Sequence, residues 1–185
     1  MMRRPWLLAI AALAGAACGA PITAPSSPAA ATSPSPAAAA SPLGAPGDSG
    51  AYACADSSGG GAARASVTTI RTGAATGYDR FVIEFDGPVP GYQVTRQSGA
   101  AFTQDASGRT VVLDGAAGVL VRLSPASNSP TAPLAMSPRS SVLRDVRNVG
   151  DFEGVVRWAL GLASPACMHV FTLDSPSRLV IDFQA

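Results

Sequence analysis

The sequence lacks lysine altogether and has a single histidine, His169, and these two shortages exclude several kinds of active site. A lysine Schiff base and the lysine-dependent phosphate loop need a side chain that is missing here. A metal site with two histidine ligands is excluded as well. Because no second catalytic group lies near it in the sequence, His169 is interpreted as a structural strand residue rather than as an acid or base. We therefore predict no catalytic residue, no cofactor and no metal ion.

An excess of charge of either sign is also missing. The chain has 13 arginines and 12 acidic residues, which gives a formal net charge of +1 at pH 7. The arginines are spread along the chain among the acids, whereas a protein that binds DNA or RNA needs a concentrated cationic face. We therefore predict that nucleic acid is not a partner.

Long hydrophobic runs are absent except at the start of the chain, where residues 6–17 are uncharged and mostly apolar. This run has 12 residues, whereas a membrane-spanning helix needs about 20. Two arginines, Arg3 and Arg4, precede the run, and Cys18 follows it, which is the layout of a secretion signal. We therefore predict a signal peptide over residues 1–17.

The small residues Gly15, Ala16 and Ala17 before Cys18 resemble the bacterial lipobox. That resemblance implies that the thiol of Cys18 receives a diacylglycerol and that the chain is cut before it. The protein would then reach the membrane through Cys18, on its extracytoplasmic face. Such signals usually have leucine where this chain has Gly15, so ordinary cleavage and secretion is the alternative.

The segment after Cys18 has few large apolar residues that could form a hydrophobic core. Of residues 19–50, 29 of 32 are Pro, Ala, Ser, Thr or Gly. Such a segment cannot bury enough apolar area to offset its conformational entropy. As a flexible coil it spans about 30 Å, and in an extended form about 100 Å. We therefore predict a lipidated cysteine and a disordered tether over residues 18–50.

Two cysteines, Cys54 and Cys167, are left for the rest of the chain. In an exported protein such a pair is more often bonded than free, which predicts a disulfide. Its closure of the long loop contributes up to about 4–5 kcal/mol in the chain-entropy model. Two buried thiols are the alternative.

Residues 51–185 consist of short alternating runs separated by Gly, Pro, Asp and Ser. In residues 81–86, for example, three large apolar side chains alternate with polar ones, which indicates a half-buried strand. No run keeps helical spacing for three turns, so we predict an all-β domain, an antiparallel β-sandwich. Residues 124–140, with four prolines, are expected to be irregular. The other predicted strands are 66–72, 91–97, 109–114, 118–123, 141–149, 154–162, 167–174 and 177–184.

Aromatic residues are only 6% of the chain, so we expect a core built mainly from Val, Leu and Ile. About 135 residues are enough to bury a single core. The residues expected to point inward are Phe81, Ile83, Phe85, Val94, Val111, Leu113, Val119, Val121, Val156, Trp158, Leu160, Phe171, Leu173, Leu179, Ile181 and Phe183.

A charged run within residues 141–162 supplies the candidate ligand-binding residues. Its charges interleave with apolar residues, so they are either solvated strand faces with cross-strand pairs or a polar groove for a saccharide or peptide. In the second interpretation, arginine forks bind carboxylates. Three glycines, Gly59, Gly60 and Gly61, follow no predicted strand and are interpreted as a loop rather than as a phosphate cradle. The candidate residues are Arg144, Arg147, Asp151, Glu153 and Arg157.

Three separated motifs resemble the AMIN-like domain of exported bacterial lipoproteins, a group related to the AMIN module of cell-wall amidases. They are GYDRFVIEFDGPVPGYQV (77–94), VGDFEGVVRWALGL (149–162) and PSRLVIDF (176–183), and they occur in the expected order. The resemblance covers most of residues 64–185. It implies a β-sandwich that targets envelope structures, with peptidoglycan as the ligand of the related AMIN modules. No catalytic residue is carried over, because the amidase chemistry belongs to a separate zinc domain.

Two functions follow as hypotheses. The first is a noncatalytic, lipid-anchored protein whose domain, residues 51–185, binds peptidoglycan or localises to the cell wall. The second is an assembly factor on the outer face of the membrane that pairs an exposed sheet edge with an envelope protein.

Overall fold

The structure is a computed structural model, and it describes residues 50–185. Three predictions fall on earlier residues: the signal peptide 1–17, the lipidation of Cys18 and the tether as far as residue 49. They lie outside the described residues.

The described residues form β-strands joined by turns and loops, as the alternating sequence predicts. The strands are β1 (Ser57–Gly59), β2 (Ala65–Ala75), β3 (Tyr78–Phe85), β4 (Gly91–Gln97), β5 (Ala101–Thr103), β6 (Thr110–Val112), β7 (Ala117–Ser124), β8 (Ala126–Asn128), β9 (Ala135–Met136), β10 (Leu143–Phe152), β11 (Val155–Leu162), β12 (Met168–Asp174) and β13 (Ser177–Gln184).

Two sheets account for most of these strands. A six-stranded sheet has the order β1-β4-β7-β11-β10-β9, and a five-stranded sheet has the order β12-β13-β3-β2-β8. Neighbouring strands are antiparallel, except that β2 and β8 are parallel. A separate hairpin joins β5 and β6. The predicted all-β antiparallel fold is confirmed.

The main core lies between the two sheets. The same hydrophobic cluster contains Val121, Trp158 and Leu160 of the six-stranded sheet and Phe81 and Phe183 of the five-stranded sheet. All five side chains are fully buried. Because the two sheets bury large side chains against each other, they form a single sandwich.

The β5–β6 hairpin packs on the outer face of the six-stranded sheet and forms a second, smaller cluster. Phe102 and Leu113 contact Val149 and Ala159 there, with Val111 partly buried beside them. The close approach depends on Gly118, where a Cβ atom would lie 2.6 Å from the Phe102 ring. The prediction that Val111 and Leu113 belong to the main core was therefore wrong, because they face this hairpin cluster.

Phe171 and Leu173 also lie outside the main core, contrary to the prediction. They contact Val82 and Val180 on the outer face of the five-stranded sheet. The reason is strand alternation: Met168 takes the core side of β12, so the residues at odd numbers in that strand face outward.

The short strands were missed or misplaced by the sequence prediction. β1 and β5 were not predicted, and the expected irregular connection 124–140 contains β8 and β9. Each of these strands has two or three residues, which is too short for alternation to be recognised. Residues 124–140 are therefore only partly irregular.

The disulfide between Cys54 and Cys167 is present, as predicted, with Cα atoms 4.2 Å apart. Beside it, Ala53 and Met168 exchange two backbone hydrogen bonds of 2.9 and 3.0 Å. The bond and the bridge together attach the start of the folded region to β12.

Candidate functional site

Two arginines lie directly opposite each other on the outer face of the six-stranded sheet. Arg122 of β7 pairs in register with Arg157 of β11, and Gln93 of β4 is the partner of Arg122 on its other side. Directly opposed residues in an antiparallel pair have Cβ atoms about 5 Å apart, and like charges at that distance repel. The arrangement therefore favours an anion near this pair.

The charge of Arg157 is already partly compensated. Its Nη1 donates a hydrogen bond of 2.7 Å to Asp105, in the loop between β5 and β6. The amide of Asp105 in turn donates to the carbonyl of Val149 on β10, at 2.8 Å. Arg157 thus positions the hairpin on the sheet, and its own Nε is buried without a hydrogen-bond partner among the described residues.

Arg122 has no such compensation. Within residues 50–185 its guanidinium forms no hydrogen bond or salt bridge, although its backbone pairs with β4 and β11, and the residue is half-buried. It borders an open depression of about 380 Å³ that we call the polar trough. An arginine next to a depression, without a carboxylate of its own, has the chemistry to bind an anionic ligand. The residues lining the polar trough are Ser58, Gly59, Gly60, Gly91, Tyr92, Gln93, Arg122 and Ser124.

Glycine backbone forms much of the wall of the polar trough. A Cβ atom at Gly59 would lie 2.6 Å from the Tyr92 hydroxyl, and Gly60 has a φ of 81°, which other residues rarely adopt. Burial raises the pKa of Tyr92, although a hydrogen bond with Ser57 opposes that shift. Tyr92 pairs with the buried Leu123 and its ring packs against the main core, so this side chain supports the trough from the core side of β4.

The five candidate residues from the sequence are not all brought together. Arg147 lies on the same outer face as Arg157, where its side chain is 49% exposed and contacts Asp145 at 3.4 Å. Arg144 sits at a bulge of β10 and lines a different depression, with Asp114 and Ala163.

The two acidic candidates lie near the β10–β11 turn. Asp151 accepts a hydrogen bond of 3.0 Å from the backbone N–H of Asn128. Glu153 is exposed in the turn itself, with a φ of 51°. The sequence prediction missed Arg122, because its place beside Arg157 depends on strand register.

The outer face of the five-stranded sheet carries a buried ion pair. Arg80 and Asp182 form two hydrogen bonds, of 2.6 and 2.7 Å, and their side chains are only 7% and 6% exposed. Hydrogen bonding to Asp182 is the main cause that raises the pKa of Arg80. The guanidinium also lies over the rings of Tyr78 and Phe171, 5.1 and 5.6 Å from their centroids. This pair joins β3 to β13.

The residue next to this ion pair, Asp79, is buried and has a structural contact of its own. Its carboxylate accepts hydrogen bonds from the backbone amides of Val142 and Leu143, at 2.6 and 2.9 Å. Asp79 and Arg80 of the GYDRF motif and Asp182 of the RLVIDF motif therefore hold strands and loops in place.

Some kinds of site are absent from the part of the chain that the structure describes. There, no three His, Cys, Asp or Glu side chains are grouped so that they could hold a metal ion. Nor is there, over the same residues, a helix with the length and hydropathy that crossing a membrane requires.

Comparison with known proteins identifies the family. The profile of the AMIN-like domain matches residues 65–185, which include β2 to β13. No curated protein matches the chain. The AMIN-like domain is a noncatalytic module, and its presence indicates an extracytoplasmic or cell-wall setting. Because the match includes every strand of the two sheets except β1, the chain belongs to the AMIN-like domain family.

Proposed function

We propose that this chain is a noncatalytic, lipid-anchored envelope protein whose domain binds peptidoglycan through the outer face of its six-stranded sheet. The observation that carries the proposal is the AMIN-like match over residues 65–185, since the related AMIN modules target peptidoglycan. Arg122 and the half-exposed Arg147 supply the cationic groups on that face, whereas Arg157 is bonded to Asp105 and positions the hairpin. Carboxylates of wall peptides are the natural counterparts for these guanidinium groups.

The anchor in this proposal is Cys18. The run of small residues before it supports lipidation, and the Pro- and Ala-rich segment after it provides a spacer. A spacer of about 30 to 100 Å holds a domain away from the membrane and within reach of the wall. The bacterial cell membrane, on its extracytoplasmic face, is therefore the proposed location.

The proposed absence of catalysis is supported by the surroundings of His169. Its ring stacks on Phe171, with centroids 4.8 Å apart, and meets Tyr52 edge-on at 6.3 Å. A general base must instead reach the reacting group of a substrate or nucleophile. His169 is thus assigned to packing on the five-stranded sheet.

Cosedimentation with purified peptidoglycan tests this function. A soluble form containing residues 19–185 is expected to sediment with peptidoglycan and to release no soluble fragments from it. Released fragments would contradict the noncatalytic assignment, and a protein that stays in the supernatant would contradict the binding.

A second candidate function is supported by the edge of β12. Within the described residues, β12 pairs with β13 on one side, whereas on the other side only Met168 is bridged, by Ala53. An open edge of this kind can accept an added strand from an envelope protein. Proline substitution at Thr172 should abolish capture of such a partner and leave peptidoglycan binding unchanged.

A further inference from the structure

We propose that the polar trough binds a short peptide by its free C-terminal carboxylate, with Arg122 as the binding fork. The inference rests on the proposed peptidoglycan binding. It specifies which chemical group of the ligand is bound, a carboxylate, and where on the domain it is bound, the polar trough. The peptide stems of the wall are the proposed source of that carboxylate.

Charge is the first argument for a carboxylate. Arg122 has no acidic partner among the described residues, and none of the residues lining the polar trough is acidic. Arg157, directly opposite, is bonded to Asp105, so the row of paired residues keeps a net positive charge. A single planar monoanion restores neutrality and matches the geometry of a guanidinium.

The second argument concerns the rest of a peptide ligand. Ser58, Gln93 and Ser124 surround the trough with neutral groups that both donate and accept hydrogen bonds. β1 is the outermost strand of its sheet, and no described strand pairs with its far edge. Peptide amides next to the carboxylate can therefore find partners along β1 and the trough wall.

The size and shape of the trough agree with a small ligand. Its volume of about 380 Å³ lies at the small end of the range for ligand sites. A Cβ atom at Gly59 would meet the Tyr92 hydroxyl, and one at Gly60 would meet the carbonyl of Pro90, so substitution at either position disturbs the backbone that forms this wall. A long glycan strand does not fit within this volume, whereas the end of a peptide does.

The test measures binding of a synthetic acetylated tripeptide ending in D-alanyl-D-alanine, in the free-acid and C-terminal amide forms. The wild-type protein, residues 19–185, is expected to bind the free acid at least tenfold more tightly than the amide. Arg122→Gln should remove this preference, and Arg122→Lys should restore part of it, since lysine keeps the charge but loses the fork. Arg71→Gln, on the other sheet, is the matched control and should bind like the wild type.

Three results would overturn the inference: no binding of the free acid by the wild type, equal binding of acid and amide, or unchanged binding by Arg122→Gln. Thermal melting shows whether each variant is folded. Sedimentation of the wild type with intact peptidoglycan is measured in parallel, so that loss of this site and loss of the proposed function are separate outcomes.

Discussion

Single residues on the two outer faces have different roles, although both faces carry arginines. Arg80 is buried and forms two hydrogen bonds with Asp182. The guanidinium of Arg122 has no described partner, and Arg122 lines the polar trough. A buried ion pair that is already satisfied holds the fold, and a partnerless cation at the surface is available for a ligand. Substitution of Arg80 or Asp182 should therefore lower stability, whereas substitution of Arg122 should weaken ligand binding.

Replacing Asp182 with asparagine tests the stabilising role. The change removes the negative charge that pairs with the buried guanidinium of Arg80 and should lower the free energy of unfolding by about 3–5 kcal/mol. Urea denaturation measures the loss. Asp174→Asn, at an exposed position of β12, is the control and should have little effect. A similar small effect for both variants would show that the buried pair does not hold the sheet.

At the scale of elements, the hairpin β5–β6 depends on a close approach to β7. Gly118→Ala places a methyl group against Phe102 and the carbonyl of Gly99, each about 2.6 Å away. Crowding of this kind should cost about 1–3 kcal/mol of unfolding free energy in urea denaturation. Gly99→Ala, which meets nothing within 4 Å, is the control. Equal stability of the two variants would contradict the tight packing of the hairpin.

Elements with clear alternation could be predicted from the sequence, and the others could not. β4 was predicted at its observed bounds because Tyr92 and Val94 alternate with polar residues there. In β12, the apolar residues Met168, Val170 and Phe171 occupy both faces, so the sequence alone did not decide which face is inward. The position of β1 depends on its pairing with β4, which is not visible locally.

The candidate site, too, could be predicted from the sequence only in part. Arg147 and Arg157 belong to a charged run that stands out in the sequence, and both lie on one outer face. Arg122 stands alone among apolar neighbours, and only the register of β7 with β11 places it beside Arg157. Contacts between distant strands are decided by tertiary pairing, which single-strand patterns do not encode.

For the molecule as a whole, the proposed anchor determines where the domain acts. Cys18→Ala removes the thiol that would carry the lipid, and two or more acyl chains are needed for stable membrane retention. The variant is expected to move from the membrane fraction to the medium or to remain unprocessed. Ser26→Ala, within the proposed tether, is the control. A Cys18→Ala protein that fractionates and migrates like the wild type would show that no lipid is attached there.

The central claim, binding of peptidoglycan by the outer face of the six-stranded sheet, is tested most directly by comparing two matched arginines. Arg147 and Arg71 are 49% and 46% exposed, each contacts one acid, and they lie on opposite sheets. Sedimentation with peptidoglycan should give about tenfold weaker affinity for Arg147→Ala, because a charge-assisted contact is lost, and unchanged affinity for Arg71→Ala. Equal affinities for the two variants, or a wild-type protein that does not sediment, would contradict the claim.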